Sequence, residues 1–351
     1  MRAPAIARSG WWVAAAAVVL TIAVAAVMLA PLLEDRPRNR ITASFDLSGL
    51  LVPRELVVAA MARDGVRVLS EPATVDPAEV DRRNREERGK LLVPDDRIVG
   101  VALGGQARAY PLRLMRWHEV VNDVVGGEPI AVTYSPLCDS VVVFSRDVGG
   151  QVVDLGVSGL LYNSNTLLYD RNIGPAASAL WTQLDGRAVA GPDPENQSPL
   201  PLRVASLTTW AAWRRRHPET RVLEPQPDLG RIYRRDPYHS YFGSDLLRFP
   251  VAPLPPASDL RLKDRVVVIT TENGEKVFAL SHLAEAAGAD AGEVEVEVAA
   301  LELRLRFRLD PGVVEVESLA ETDRPTAVRY AFWFAWYALG GTVPGVSKTG
   351  S

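Results

Sequence analysis

Twenty consecutive uncharged residues near the N-terminus, from Trp11 to Ala30, constrain the fold of this chain more than any other feature. As an α-helix, the segment would be about 30 Å long, which matches the hydrocarbon core of a bilayer. Trp11 and Trp12 would then lie at the membrane interface, where tryptophan is enriched. We therefore predict a short N-terminal tail over residues 1–10 and a transmembrane anchor over residues 11–33.

A cleaved signal peptide is the alternative interpretation of the same segment. The apolar region of a signal peptide is normally about 7 to 15 residues long, and this run is longer. Arginines flank the run on both sides, so the positive-inside rule does not decide the orientation. A short tail ahead of a signal-like anchor favours export of the large domain. We expect a single-pass protein of the cell membrane that contacts the lipid bilayer through this helix and has an extracytoplasmic domain.

The rest of the chain, about 310 residues, is long enough for one large domain with its own core. The net charge is −4 and no face concentrates Lys and Arg, so we expect no nucleic-acid partner. The lone cysteine, Cys138, excludes an intramolecular disulfide. We predict a juxtamembrane linker over residues 34–56 and a single globular domain over residues 57–345. The proline-rich stretch 250–256 is the candidate seam between two lobes.

Alternating polar and apolar residues, interrupted by turn-forming pairs, dominate the large domain. Gly104-Gly105 and Gly149-Gly150 each separate two such segments, and Asn273-Gly274 does the same later in the chain. These residues readily adopt the positive φ that a two-residue hairpin turn needs. The pattern predicts an α+β fold that consists mostly of antiparallel β-hairpins with a few helices.

The predicted helices are Leu112–Val121, Ser206–Arg216 and Ser281–Ala287. Ser206 is a candidate N-cap for the second helix, and Gly288 would end the third. The aromatic segment Tyr330–Leu339 is too short to span a membrane. We expect it to pack in the core, and a segment lying on the bilayer surface is the alternative.

The densest group of polar residues occupies positions 117–123. On a helix, His118 would lie on the apolar face one turn from Asn122, and Glu119 would lie one turn from Asp123. One interpretation is a buried histidine beside two solvated carboxylates, and the other is a metal or acid–base site. The His-Glu-x-x-Asn pattern is similar to a zincin helix, but asparagine replaces the second histidine ligand. We therefore exclude the zincin mechanism and keep a looser metal site as a hypothesis.

A second polar group, Tyr134–Ser140, forms a turn between two apolar strands. Its Cys138 could act as a nucleophile if a histidine, for example His118, lowered the thiol pKa. Ser135 and Asp139 lie in the same turn and are candidate ligand-binding residues. The alternative is that Cys138 is a small buried residue, which is the usual state of a free cysteine.

A third group, Ser158–Asn165, contains Asn-Ser-Asn between apolar runs. Asparagine tolerates positive φ, so the sequence predicts a turn here. Tyr162, Asn163 and Asn165 are also candidates for the wall of a ligand pocket.

Six segments together resemble the bacterial family catalogued as domain of unknown function 3179. They cover residues 95–146, 156–171, 178–191, 210–223, 236–242 and 332–338. The resemblance extends over most of residues 60–345. It implies an exported or membrane-associated protein, and it implies no particular activity.

The family form reads Tyr-Cys-Pro-Leu-Cys-Gly at the second polar group. In this chain Ser135 stands in place of the first cysteine, and Asp139 stands in place of the glycine. A two-cysteine version could ligate a soft metal or cycle as a disulfide. This chain cannot form that disulfide. A thiolate–metal site here has lost one ligand, unless Asp139 or a histidine replaces it.

Three hypotheses for the function remain open. The leading one is a membrane-anchored extracytoplasmic domain that binds a small ligand or a metal in one pocket between segments 117–123 and 134–140. His118 and Cys138 would be the metal ligands, if a metal is the cofactor. The second hypothesis is an enzyme with Cys138 as nucleophile and a histidine base. The third is a structural or assembly module without a ligand.

Overall fold

The computed structural model describes residues 44–86, 90–288, 293–298, 303–310, 313–318 and 326–344. In this part of the chain, no helix combines the length and the apolar character that crossing a bilayer requires. The predicted anchor, residues 11–33, lies outside the described residues and stays a prediction. The division into two lobes near residues 250–256 also stays a prediction.

Short strands dominate the described residues, and helices are few. The strands, β1 to β23, are Val57–Ala59, Leu69–Ser70, Thr74–Val75, Arg97–Leu103, Gln106–Pro111, Val120–Val125, Glu128–Ser135, Ser140–Ser145, Asp147–Val148, Gln151–Val152, Leu155–Tyr162, Asn165–Asp170, Leu180–Thr182, Ala188–Ala190, Leu202–Arg203, Ser206–Thr209, Arg221–Leu223, Arg265–Thr271, Gly274–Ala279, Glu293–Val298, Leu303–Asp310, Val313–Ser318 and Ala327–Phe332. The helices, α1 to α6, are Pro77–Glu86, Leu112–His118, Trp210–Arg216, His239–Phe242, Leu280–Ala287 and Trp333–Ala338. Short 3₁₀ turns cover Arg54–Leu56, Pro136–Cys138, Pro227–Leu229 and Ile232–Arg234.

Most strands belong to three sheets. The front sheet has the order β1-β11-β12-β13-β14, and the central sheet has the order β19-β18-β23-β8-β7-β6-β2, with β15 also paired to β8. The back sheet has the order β20-β21-β22-β16-β4-β5-β17-β3. Neighbouring strands pair antiparallel except β2 with β6 and β5 with β17. This topology confirms the predicted α+β class with mostly antiparallel pairing.

The central sheet is buried on both faces. Along β8, Val142 and Phe144 belong to the core shared with the front sheet. Val141 and Val143, which alternate with them, belong to the core shared with the back sheet. Successive strand residues face opposite sides, so a strand between two cores must be apolar throughout. This explains why the sequence of β8 shows a continuous apolar run rather than alternation.

Helices α1 and α3 cover the outer face of the back sheet. Val80 of α1 and Trp210 and Trp213 of α3 are buried there. Gly100 of β4 is required by this packing, because a Cβ at this position would collide with the indole of Trp213. On the other side of the molecule, the aromatic residues of α6 are buried in the front core, as the core interpretation predicted.

The predicted hairpins are confirmed, with one difference. Gly104-Gly105 joins β4 to β5, and residues 272–273 join β18 to β19. Gly149-Gly150 connects only the short strands β9 and β10. The longer strands on either side, β8 and β11, leave this small ribbon for two different sheets.

All three predicted helices differ from the structure in their bounds. Helix α2 ends at His118, and the predicted continuation to Val121 is the start of strand β6. The β-branched valines of β6 favour a strand, and the strand gains a full ladder with β7. Similarly, Ser206 does not cap a helix, because Ser206–Thr209 pairs with β4 and the Thr209 side chain caps α3. The third predicted helix begins one residue too late, because α5 begins at Leu280. Gly288 ends α5, as predicted, with a φ of 79°.

Candidate functional site

The first polar group lies where helix α2 ends and strand β6 begins. Glu119 is the turning residue, with φ 55° and ψ −33°. Its amide donates to Met115 O at 2.8 Å, and its carbonyl accepts from Tyr134 N at 2.7 Å. The main chain of Glu119 therefore ends the helix and joins β6 to β7. Since the chain turns here, the polar side chains of this group do not share one helix face.

His118 is fully buried and contacts groups away from the other candidate residues. Its Nδ1 lies 2.6 Å from Arg67 O, and its Nε2 lies 2.5 Å from the Tyr233 hydroxyl. Burial lowers the pKa of His118 and outweighs the Arg67 carbonyl, which favours the cation. Both ring nitrogens are already partnered, so the predicted catalytic or metal-binding role of His118 gains no support and stays a prediction.

Asn122 and Asp123 hold neighbouring elements together. Asn122 donates to Leu155 O at 2.9 Å and accepts from Leu155 N at 3.1 Å, which links the central and front sheets. Asp123 accepts from Arg108 at 2.9 Å and from the Tyr110 hydroxyl at 2.8 Å. Burial, and then the Asp123 carboxylate, raise the pKa of Tyr110. These partners give both residues a structural task.

The third polar group is the turn between β11 and β12, as the sequence predicted. Asn163 and Ser164 have φ values of 50° and 64°, the positive values of a tight hairpin turn. The Asn163 amide donates to Ala252 O at 3.0 Å and to Ala338 O at 2.9 Å. Asn165 donates to Gln183 Oε1 at 3.0 Å. The side chain of Asn163 thus fastens two distant segments to this turn.

The second polar group connects β7 to β8 through the 3₁₀ turn Pro136–Cys138. Cys138 is fully buried, and its thiol lies 3.4 Å from Ser164 O. Burial raises the pKa of Cys138 to about 12, although Asn165 and Ser135 hydrogen-bond the sulfur and lower it in part. The protein therefore holds a neutral thiol at neutral pH, which opposes the thiolate that a nucleophile or a metal ligand needs.

Asp139 follows the 3₁₀ turn in the left-handed region, with φ 42°. Its carboxylate accepts from Arg265 at 2.6 Å, from Arg97 at 3.3 Å and from the Tyr134 hydroxyl at 2.7 Å. Burial opposes ionisation here, but the two guanidinium groups outweigh it and lower the pKa of Asp139 to about 2. We call these four side chains the Asp139 cluster.

A cavity of about 120 Å³ lies between residues 157–161 of β11, the end of β7 and the segment 238–249. We call it the Glu119 pocket. Its lining residues are Ala60, Met61, Glu119, Ser135, Pro136, Leu137, Val157, Gly159, Leu160, Leu161, Thr166, Tyr238, Arg248 and Phe249. Of the predicted site residues, the structure brings only Glu119 and Ser135 to this cavity.

The inner end of the pocket carries a buried carboxyl. Glu119 Oε2 accepts from the Thr166 hydroxyl at 3.1 Å, and Ser135 Oγ lies 3.2 Å from the same Thr166 oxygen. No other side chain among the described residues hydrogen-bonds the Glu119 carboxyl. Burial raises the pKa of Glu119 to about 7, with the Thr166 hydrogen bond acting in the opposite direction. Glu119 therefore changes charge near neutral pH.

A glycine bulge in β11 shapes one wall of the pocket. The β11–β12 register shifts between Val157 and Leu161, and Gly159 within this interval has φ 81°. Its carbonyl accepts from the amides of Ala60 and Met61, and a Cβ at Gly159 would collide with the Met61 carbonyl. Bulges of this kind re-aim side chains beside functional sites.

The mouth of the pocket is formed by the segment 238–249. Tyr238, Arg248 and Phe249 reach the cavity from this segment. The Tyr241 hydroxyl donates to Leu137 O at 2.9 Å, which attaches the segment beside the 3₁₀ turn. Lys263 Nζ donates to three carbonyls of the same segment, at 2.6 to 2.9 Å. These contacts fix the segment over the inner residues.

A larger groove of about 520 Å³ lies elsewhere, beside β5 and the end of α3. Its charged residues include Arg108, Arg216 and Arg221, and each already contacts an acidic side chain: Asp123, Glu315 and Asp76 respectively. The groove contains no buried carboxyl or thiol. We therefore place the candidate chemistry at the smaller Glu119 pocket, despite its size.

The positions of the metal-ligating types of side chain give no support to a metal centre. In the described ranges, no three His, Cys, Asp or Glu side chains are close enough together to hold a metal ion. The predicted metal site at His118 and Cys138 stays a prediction.

Sequence reasoning missed three polar pocket residues, Thr166, Tyr238 and Arg248. Thr166 and Tyr238 each lie in one of the six segments that carry the family resemblance, and this was a usable signal. Arg248 lies outside these segments and has no local pattern that distinguishes it from an ordinary loop residue. The three residues join Glu119 only through the packing of three distant segments.

Comparison with known proteins identifies the family. The family model described as a protein of unknown function, DUF3179, matches residues 64–342. No curated protein and no solved structure matches the chain. The matched region includes the polar residues of the Glu119 pocket, from Glu119 to Arg248. The chain belongs to the DUF3179 family.

Proposed function

We propose that this protein is a membrane-tethered binding protein whose β-rich domain holds a small organic molecule in the Glu119 pocket. The carboxyl of Glu119 carries the proposal, because it is buried, faces a cavity and accepts one hydrogen bond from the described side chains. Leaving a buried polar group without full partners is costly. Groups whose pKa is strongly shifted by burial in a cleft are common at functional sites.

The composition of the pocket supports a ligand with an apolar body. Val157, Leu160 and Phe249 contribute to its wall, while polar residues are the minority of its lining. Ligand sites commonly combine apolar walls with a small number of placed polar groups. The cavity of about 120 Å³ is roughly eight times the ~15 Å³ that one water needs. The ligand is therefore small.

Binding of small fragments to the full-length chain in detergent micelles tests this function. Ligand-observed NMR with neutral, cationic, anionic and zwitterionic fragments would detect binding. We expect the Ala60→Phe variant to abolish it, because the new ring would fill the cavity from a wall position. Ala62→Phe is the matched control, since Ala62 is an exposed residue that does not line the pocket. Fragment binding that survives Ala60→Phe unchanged, or no binding at all, would contradict the proposal.

The proposed location is the cell membrane, with the domain on the extracytoplasmic side. The uncharged run Trp11 to Ala30 supports it, together with the short tail that precedes this run. A fusion of alkaline phosphatase to the C-terminus tests the orientation, because this enzyme is active only after export. An inactive fusion, with a matched cytoplasmic reporter active at the same position, would place the domain inside the cell.

A further inference from the structure

Two opposite charges line the Glu119 pocket without contacting each other. Glu119 is buried at the inner end, whereas Arg248 is an exposed residue that lines the side of the cavity open to solvent. Among the described residues, no carboxylate oxygen lies within 4.0 Å of an Arg248 nitrogen. Arg97 and Arg265, by contrast, both pair with Asp139. The cavity is therefore lined by a carboxyl and by a guanidinium that has no acidic partner among the described residues.

Arg248 is nevertheless held in place. Its guanidinium carbon lies 5.0 Å from the ring centroid of Tyr241 and 5.9 Å from that of Tyr238. Contact with aromatic rings orients the planar group and leaves its N–H donors free. An oriented guanidinium with free donors matches the geometry of a carboxylate.

Tyr238 lines the same cavity as the two charges. Burial raises the pKa of its hydroxyl, the Glu119 carboxylate raises it further, and Arg248 lowers it. This phenol therefore experiences the fields of both groups. No described residue hydrogen-bonds its hydroxyl. The pocket thus offers a carboxyl, a guanidinium and a hydroxyl that has no hydrogen-bond partner among the described residues.

We infer that the ligand of this pocket is a small zwitterion, with its ammonium beside Glu119 and its carboxylate beside Arg248. The inference rests on the proposed binding function. An ammonium would pair with the buried Glu119 carboxylate, whereas a carboxylate at that position would meet a like charge. The apolar wall residues would contact a short aliphatic body. Free amino acids of small size are the chemical class that combines these features.

Matched probes test the inference on the full-length chain. The zwitterions are L-alanine, β-alanine and γ-aminobutyrate, which differ in the separation of their charges. For β-alanine, the analogues with one charge are propionate and propylamine; for γ-aminobutyrate, they are butyrate and butylamine. Titration calorimetry should show at least one of these two zwitterions binding at least tenfold more tightly than both of its analogues. The chain length of the best zwitterion among the three would report the spacing between Glu119 and Arg248.

Two variants test the contribution of each charge separately. Glu119→Gln should remove the advantage of the zwitterion over its carboxylate analogue, because the amine loses its partner. Arg248→Met should remove the advantage over the amine analogue while it retains a long side chain against the tyrosine rings. Glu128→Gln is the control, since Glu128 belongs to the same β6–β7 hairpin but lies at its far end. This control should bind all probes as the unchanged protein does.

Failure of this inference is distinguishable from failure of the proposed function. If, for β-alanine and γ-aminobutyrate alike, an analogue with one charge binds within tenfold of the zwitterion, and Ala60→Phe abolishes that binding, the pocket binds small molecules but the zwitterion assignment is wrong. The same conclusion holds if Glu119→Gln weakens all probes by one common factor. If no probe and no fragment binds the unchanged protein, both proposals are overturned.

Discussion

Glu119 and Asp139 are two buried carboxyl groups in neighbouring turns, and they have opposite electrostatic states. Each has a positive φ, at 55° and 42°, and each adjoins an end of the β7 pairing. Burial raises the pKa of Glu119 to about 7, whereas two arginines hold the pKa of Asp139 at about 2. Both side chains are almost inaccessible to solvent. The difference therefore comes from their partners and not from their burial.

This difference separates a structural acid from an acid that is available for binding. Asp139 is saturated by Arg97, Arg265 and Tyr134, so it has little capacity to receive a ligand. Glu119 has the Thr166 hydroxyl and a cavity. The amino acid type and the burial of these residues are similar, and only the three-dimensional contacts distinguish their roles.

The largest expected effect concerns Cys138, whose thiol is influenced by the charges of both acids. Burial raises its pKa to about 12, and the charges of Asp139 and Glu119 add to this shift. A thiol pKa that lies about 3 above its ordinary value reduces the thiolate fraction at neutral pH by about 1000-fold. We expect iodoacetamide to modify Cys138 at least about 1000-fold more slowly in the native protein at pH 7.5 than in urea, as measured by mass spectrometry. Modification at the rate of a free thiol would support the enzyme hypothesis instead.

The next effect tests the Asp139 cluster. Asp139→Asn keeps the shape of the side chain, and asparagine tolerates the left-handed backbone, so the change removes mainly the charge. Arg97 and Arg265 would lose their buried carboxylate, which costs about 3 to 4 kcal/mol of unfolding free energy. Urea denaturation at pH 7 measures it. Asp236→Asn is the control: its pair with Arg116 is partly exposed, and we expect a loss below about 1 kcal/mol. Equal losses of unfolding free energy in the two variants would show that Asp139 contributes no more stability than a partly exposed carboxylate.

The smallest effect has the opposite sign and concerns Glu119. Its folded pKa of about 7 lies above its ordinary value of 4.5, so the unfolded chain releases this proton first as the pH rises. The stability that the neutral carboxyl contributes is complete below pH 4.5 and is lost as the pH rises through 7. We expect Glu119→Gln to raise the unfolding free energy at pH 8 by about 2 to 3 kcal/mol. At pH 4.5 the same substitution should change the unfolding free energy little.

Urea denaturation at the two pH values measures this difference. Glu128→Gln serves as control, because the Glu128 side chain is partly exposed and lies at the far end of the same hairpin. If Glu119→Gln destabilised the protein at pH 8, Glu119 would have a charge partner, and the contrast with Asp139 would disappear.

The local sequence was sufficient to predict the hairpins but not the end of helix α2. A pair of residues that accept positive φ defines a hairpin by itself, and Gly104-Gly105 is an example. The end of α2 depends on a competition between helix and strand at Val120 and Val121. Pairing with β7 decides that competition, and no local pattern reports it.

Two of the candidate residues that the sequence indicated lie at the cavity. Glu119 and Ser135 were identified from their polar neighbourhoods, and both line the pocket. The same reasoning also selected His118, Asp123 and Asn163, whose polar groups bind other parts of the protein. A polar residue that satisfies a buried partner and one that faces a ligand look alike in a sequence. Only their contacts separate them.

The sequence by itself determined the α+β class, the hairpin turns, the family and the absence of an intramolecular disulfide. These properties depend on residues close together in the chain, on a specific series of motifs, or on a count of cysteines. Only the tertiary structure decided that the central sheet is buried on both faces, that Glu119 and Asp139 differ in charge, and that Tyr238 and Arg248 line the same cavity as Glu119. Such properties depend on contacts between residues that are distant in the chain, which local patterns do not encode.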